Sequence, residues 1–214
     1  MARIELKPLT KVSERRYRVE CRVGFGNGFM VIPTYENIIN IVNFGWNMTF
    51  GQRGEHRHQR SGGTIERENL AIFKDVINGK FGELAFYKYC EGQVSNITTI
   101  DLECYGLGKW DRSDFEVTFN SHTYSIAIKT TKFFGNLLLL ETKDWQIKEG
   151  KSCYIPNGAN GFYDFIVFCR VQSNLEQIVQ EVEKNGNDSS DLVQQILGKL
   201  TVKTEVVGHI NNYD

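Results

Sequence analysis

The sequence predicts a single mixed α/β domain of the α+β kind, in which helices flank a central mixed β-sheet. Three observations point there. Residues 114–129 alternate apolar and polar positions on either side of a polar turn, the pattern of a hairpin with one buried face. Upstream, Ile65, Ile72, Phe73, Val76, Ile77, Phe81, Leu84 and Ala85 approximate one stripe at helical spacing. Downstream, residues 163–171 form a nearly continuous apolar run, which suits a strand covered on both faces.

In chain order, residues 17–23 alternate as a strand, and Gly24-Phe25-Gly26-Asn27-Gly28 interrupts them. That glycine cluster has neither the lysine nor the following helix of a phosphate-binding loop, so it reads as a turn. Residues 35–43, with Ile38, Ile39, Ile41 and Val42, spell a short packing helix, and the glycines of residues 46–67 make that stretch a loop. Thr64 is the candidate N-cap of the next helix, which continues through Gly79 and Gly82. In the hairpin, Phe115, Val117 and Phe119 alternate with Asp114, Glu116 and Thr118, while Tyr124, Ile126 and Ile128 alternate with Ser125, Ala127 and Lys129. A tight turn at Ser121-His122, with Asn120 opposite Thr123, unites the apolar sets and sets Asp114 opposite Lys129 and Glu116 opposite Ala127. Residues 133–140 supply a further strand before the buried one. Leu175, Ile178, Val179 and Val182, then Leu192, Val193, Ile196, Leu197 and Leu200, mark two amphipathic helices separated by a polar linker. Either they cover the core or they form a dimer surface. Residues 202–210 alternate weakly, as a returning strand.

Composition agrees with one domain: 214 residues, 41% of them hydrophobic, can bury a substantial core, and no internal repeat divides the chain. No apolar stretch is long enough to cross a bilayer, and the charged start through Arg3, Glu5 and Lys7 is unlike a secretory leader. Cys21, Cys90, Cys104, Cys153 and Cys169 lack metal-ligand spacing and read as reduced thiols, which places the expectation in the cytoplasm. A net charge of −1 argues against a nonspecific nucleic-acid binder but leaves room for a local basic surface. Gln52, Arg53, His56, Arg57, His58, Gln59 and Arg60 have side chains that contact phosphates and base edges, although Glu55 dilutes their charge and a solvated loop has the same composition. His56 and His58 have no Cys or acidic partner at metal-site spacing. Thr130, Thr131, Lys132, Gly135 and Asn136, leaving the second hairpin strand, read either as phosphate contacts or as a plain strand-to-loop transition.

A carboxylate beside a lysine on adjacent strands is what a metal-dependent phosphodiesterase needs. The acid holds Mg²⁺, the metal lowers the pKa of a bound water, and the lysine orients that water or stabilises developing charge. Asp114 with Ala127-Ile128-Lys129 resembles the PD-(D/E)xK nuclease core of type II restriction endonucleases, and Gly79-Lys80-Phe81-Gly82-Glu83-Leu84-Ala85-Phe86 resembles the helix before that family's catalytic hairpin. The resemblance spans residues 64–171. It implies a restriction-endonuclease-like core there; the ends of the chain do not carry it and read as an N-terminal elaboration over 1–63 with a candidate DNA-contacting loop, and as C-terminal helices and strand over 172–214. The implied activity is Mg²⁺-dependent hydrolysis of phosphodiester bonds in duplex DNA at a short specific sequence, by a homodimer, as in restriction–modification. Asp114 and Glu83 are the implied metal residues and Lys129 assists the attacking water, while Glu116 is a metal candidate from its register opposite Ala127.

Two departures qualify this. Ser113 replaces the nominal proline, and Ala127, which cannot ligate a metal, stands where the family has its second acid. Ala127 is a replaced acid in an inactivated copy, or Glu116 or Glu83 supplies the missing carboxylate, or the chain is a silent sequence-specific DNA binder. A repair or junction-resolving nuclease shares the same core. An ordinary amphipathic hairpin with a surface lysine also shares the pattern.

Overall fold

The computed structural model describes residues 10–14, 16–18, 22–51, 68–104, 113–137, 144–148, 151–155, 163–184 and 189–211. Its elements are β1 (Thr10–Ser13), β2 (Arg16–Arg18), β3 (Phe29–Val31), α1 (Tyr35–Thr49), α2 (Asn69–Cys90), β4 (Asn96–Ile97), β5 (Phe115–Phe119), β6 (His122–Lys132), β7 (Trp145–Lys148), β8 (Lys151–Tyr154), β9 (Phe165–Ser173), α3 (Leu175–Lys184), α4 (Ser189–Lys199) and β10 (Val202–Asn211). The fold is mixed α/β, built on a six-stranded sheet ordered β3-β10-β9-β6-β5-β4. Strands β6 and β9 run parallel, and the other described pairs of this sheet are antiparallel.

The apolar run of residues 163–171 becomes β9, a central strand whose residues Ile166 to Val171 are all buried. Its two faces meet different partners. Val167 and Cys169 join Phe115, Val117, Ile126 and Ile128 beneath Ala85 and Phe86 of α2. Val171 and Val202 extend that face into a cluster to which α1, α2, α3 and α4 all contribute. On the opposite face Ile166 packs with Ala127 and Ile210 against Tyr154 of the β7–β8 hairpin. The expected flanking by helices is therefore one-sided among the described residues, and a two-stranded ribbon covers part of the other face.

Helix α1 runs beyond the expected residue 43 to Thr49, carrying Trp46 into contact with Phe50 and Phe73; Thr34 and Asn37 close its N-terminus as a reciprocal capping box. Helix α2 starts at Asn69 with Glu68 as an uncapped N-cap, and Thr64, expected to cap it, lies outside the described residues. Residues 133–137 turn away from β6 instead of forming a further strand; the intervening strands are β7 and β8. The strand expected at residues 17–23 is described only as β2, paired with β1.

Strand β10, weakly marked in the sequence, lies inside the sheet between β3 and β9. A bulge between Val206 and Gly208 changes its alternation, so Val206 faces the helices while both Glu205 and Ile210 face the other side. Glu205 pairs with Arg170 of β9 at 2.7 Å, with exposures of 0% and 1%. Two buried charges demand further polar partners. The Gly24–Gly28 turn supplies them: the amides of Gly26 and Gly28 donate to the Glu205 carboxylate at 2.5 and 3.2 Å, and the Arg170 guanidinium donates to the carbonyls of Val23 and Gly24 at 2.6 and 2.8 Å. Gly28 is required sterically, because a Cβ there would overlap the Val206 carbonyl. The glycine cluster is thus a cradle for an internal carboxylate.

Removing one partner of this pair leaves the other charge buried. Arg170→Ala is expected to lower the unfolding free energy by about 3–5 kcal/mol in urea titrations, whereas Arg170→Met combined with Glu205→Leu recovers much of the loss. Equal loss in the single and double variants would show that packing, not charge, is what the pair contributes.

Candidate active site

The hairpin brings together Asp114, Glu116, Ala127 and Lys129, but in a register two residues away from the expected one. The turn is Asn120-Ser121, both with positive φ (48° and 63°), and Phe119 pairs with His122. This is the primed two-residue turn whose twist matches paired strands, and asparagine adopts that backbone more easily than most residues. A slip of two keeps every side chain on its face, so hydrophobic alternation cannot distinguish the two registers. Lys129 therefore does not face Asp114. Continuing the ladder past Phe115–Ile126 sets Asp114 against Ala127, with the Asp114 amide donating to the Ile126 carbonyl at 3.1 Å. Glu116, expected opposite Ala127, pairs with Ser125 and is exposed, so the register argument for it as a metal ligand fails.

Asp114 sits where β5 begins. Its Oδ2 accepts the Ile128 amide at 2.6 Å, standing in for a strand partner that β5 does not provide. Asp164 plays the matching part at the start of β9, accepting the Ser125 amide at 2.7 Å while its own amide donates to the Ser125 carbonyl. The two aspartates thus brace β6 from either side. Lys129 follows two residues after Ala127, on the same side of β6 and in register with Phe168 of β9. It is half-buried and takes no carboxylate partner among the described residues.

Glu83 reaches the site from α2. A Cβ on its neighbour Gly82 would overlap the Thr130 Oγ1, so the helix lies close against β6 and carries Glu83 into the interior with 9% exposure. Burial pushes the Glu83 carboxyl up from 4.5 to about 8; Lys80, 2.7 Å away, opposes that shift, and the charge of Asp114 adds to it, with a smaller contribution from Asp101. Asp114 also acts on Tyr163, whose phenol is raised first by burial and then by that carboxylate. Asp114 is thus the charge that acts on both Glu83 and Tyr163. Ala127 is fully buried beside it with Tyr154, Ile166 and Ile210.

The remaining candidates divide. Thr130 is half-buried against Gly82, its Oγ1 without a hydrogen-bond partner among the described residues. Lys132 lies 3.6 Å from Glu176 of α3. Asn136 is engaged internally, accepting the Val23 amide at 2.9 Å and donating to the Phe134 carbonyl at 3.2 Å. Gln52, Arg53, His56, Arg57, His58, Gln59 and Arg60 lie outside the described residues. Lys80, Asp164 and Tyr163 were not singled out. Lys80 was legible as a basic residue three before Glu83 on one helix, whereas the other two act through backbone placement that the sequence pattern does not carry.

Among the described residues no group of three or more His, Cys, Asp or Glu side chains is placed to hold a metal ion. Of the candidate acids, Glu83 and Asp114 are the pair of which one feels the other's charge, and the residue types suit Mg²⁺, which commonly takes one or two carboxylates and keeps several waters. No protein-family model, curated protein or solved structure matches the chain.

The buried Glu83 generates a pH dependence. Its folded pKa lies above its unfolded value, so its stabilising contribution is full below about pH 4.5 and is lost as pH rises through about 8. Glu83→Gln, which mimics the protonated acid, is expected to flatten the decline in melting temperature across that interval. Parallel curves for the two proteins would mean that Glu83 is not desolvated.

Proposed function

We propose that the chain is a metal-dependent DNA endonuclease of the PD-(D/E)xK, restriction-endonuclease-like kind, acting on phosphodiester bonds of duplex DNA. The observation that carries this reading is the placement of Asp114 opposite Ala127, one carboxylate oxygen held by the Ile128 amide, with Lys129 two residues further on the same face of β6 and the buried Glu83 of α2 feeling the Asp114 charge. Structural acids are seldom buried beside another acid without a full complement of cations, because the repulsion costs stability. The topology supports it as well: helix α2, the meander β4–β5–β6, then β9 parallel to β6.

Glu83 and Asp114 would hold Mg²⁺. When bound, the cation lowers the pKa of a coordinated water and offsets phosphate charge. Asp114 presents one carboxylate oxygen, its other being held by the Ile128 amide, which fixes the direction of the donor. Lys80 keeps Glu83 oriented. Lys129 donates toward the phosphate, where it orients the attacking water or stabilises developing negative charge.

One observation favours a second reading. Ala127 is enclosed by Tyr154, Ile166 and Ile210, an apolar setting that suits a small native side chain and leaves the site one acid short. A silent sequence-specific DNA binder fits that enclosure.

Nicking of supercoiled plasmid with Mg²⁺ or Mn²⁺ separates the two. Asp114→Asn, Glu83→Gln and Lys129→Ala are each expected to lower cleavage by about a hundredfold while retaining binding in Ca²⁺, and Ala127→Asp is expected to raise it by adding a carboxylate opposite Asp114. Cleavage that survives Asp114→Asn sinks the nuclease reading. Selective duplex binding with no cleavage, even in folded Ala127→Asp, favours the silent binder.

A further inference from the structure

Beyond the carboxyl ends of the parallel strands β6 and β9 lies a crevice of about 160 Å³ between α2 and α3. Carboxyl ends of parallel strands are where open α/β sheets receive ligands. Lys74 of α2 and Lys132 of β6 converge there on one carboxylate, Glu176, at 2.7 and 3.6 Å. Two cations facing one acid leave a surplus positive charge, and the longer, more exposed Lys132 contact is the easier to exchange. Asn78, one turn along α2 from Lys74, lines the same crevice with its Oδ1 buried and unpartnered among the described residues. An acceptor in that position seeks a donor.

The rim is aromatic. Phe133 and Phe134 line the crevice with their rings edge to face, centroids 5.2 Å apart, and Phe134 is 68% exposed. A single exposed phenylalanine means little. Here Phe133, Phe134 and Leu137 are all exposed within a short stretch of chain that also presents Lys132, so exposed apolar side chains lie beside a cation. Adjacent cation and ring are the two elements that single-stranded nucleic-acid sites combine, with the backbone on the charge and the base on the ring.

The geometry points to a nucleotide subsite: Lys74 and Lys132 take a backbone phosphate of DNA, and Phe134 stacks an unpaired base of the same strand, whose edge amino group can donate to Asn78. This rests on the nuclease reading above for its substrate class. It is physically separate from that site. From Glu83 back to Lys74 is about 14 Å along α2, or about four steps along a B-form axis. A strand whose scissile phosphate meets Lys129, which leaves β6 on the face away from α2, would round the carboxyl end of β6 to place a displaced or overhanging nucleotide here. The prediction is that this protein prefers duplexes with a frayed or single-stranded end to blunt ones.

Fluorescence anisotropy in Ca²⁺, where binding is read without cleavage, tests it with a blunt duplex and the same duplex bearing a short single-stranded tail. Phe134→Ala is expected to weaken tailed-duplex binding about tenfold and blunt-duplex binding little. Lys74→Ala with Lys132→Ala is expected to reduce the log–log salt slope for the tailed duplex by roughly one unit. Phe134 and Lys132 are exposed and Lys74 is half-buried, and melting curves identify any variant that fails to fold; Phe134→Leu, which keeps the apolar bulk, is expected to behave like Phe134→Ala. Equal losses on blunt and tailed duplexes, or tailed binding unaffected by Phe134→Ala, overturn the subsite. If wild type cleaves plasmid while these variants bind as it does, the subsite falls and the nuclease reading stands; if wild type binds neither duplex, both fall.

Discussion

The close approach of α2 to β6 at Gly82 is the contact on which the functional geometry depends. A side chain at that position would occupy the space of Thr130, and the helix would have to lift from the sheet. Because it does not lift, Glu83 descends into the core, where desolvation dominates its ionisation, and Ala85 and Phe86 reach Phe115, Ile126 and Ile128 on the sheet. The same axis carries Asn78 and Lys74, at successive turns, to the far end of β6. Glycine inside a helix costs about 1 kcal/mol relative to alanine. Two of them within four residues, Gly79 and Gly82, signal that tertiary geometry overrides local preference here, and at Gly82 the structure supplies the reason.

A second constraint holds the other side of the sheet. The Arg170–Glu205 pair is enclosed by the Gly24–Gly28 turn, which is in turn fastened to the segment leaving β6 by Asn136 and by the edge-to-face pair of Phe25 and Phe133. The buried charges are thus satisfied by backbone groups of a chain segment remote in sequence, and that segment has one place to go. Buried ion pairs contribute little net stability but penalise alternatives in which either charge is left unpaired. Here the penalised alternative is a displaced N-terminal turn, whose release would also free the chain around Phe133 and Asn136.

What could be read from the sequence follows which physical signals are local. Alternation over residues 114–129 and the apolar run of β9 are properties of short windows, and both strands formed where the pattern put them. The register did not follow, because a shift of two residues leaves the pattern unchanged and the decision falls to turn conformation at Asn120 and Ser121. Strand β10 was underrated for a related reason: its bulge breaks the alternation that would have marked it as a central strand. The glycine cluster formed the turn expected of it, yet its role could not be seen, since Glu205 lies 177 residues further along the chain from Gly28. Asp114, Lys129 and Glu83 were singled out through motif resemblance, while the Lys80 contact and the tie from Ile128 to Asp114 belong to three-dimensional placement alone.

That placement limits what the site can do. Asp114 has one oxygen committed to the Ile128 amide, and Glu83 has one committed to Lys80, so each offers a single oxygen in a defined direction. A zinc-like site wants a nearly complete set of protein donors. Two single oxygens instead suit a hard, largely hydrated cation whose remaining positions are water or substrate phosphate. Such a cation would be held weakly by the protein alone and better once a phosphodiester added its own oxygens. On the proposed nuclease reading, the buried alanine at position 127 leaves no second acid on β6 to complete the shell, so the substrate would contribute to assembling the site.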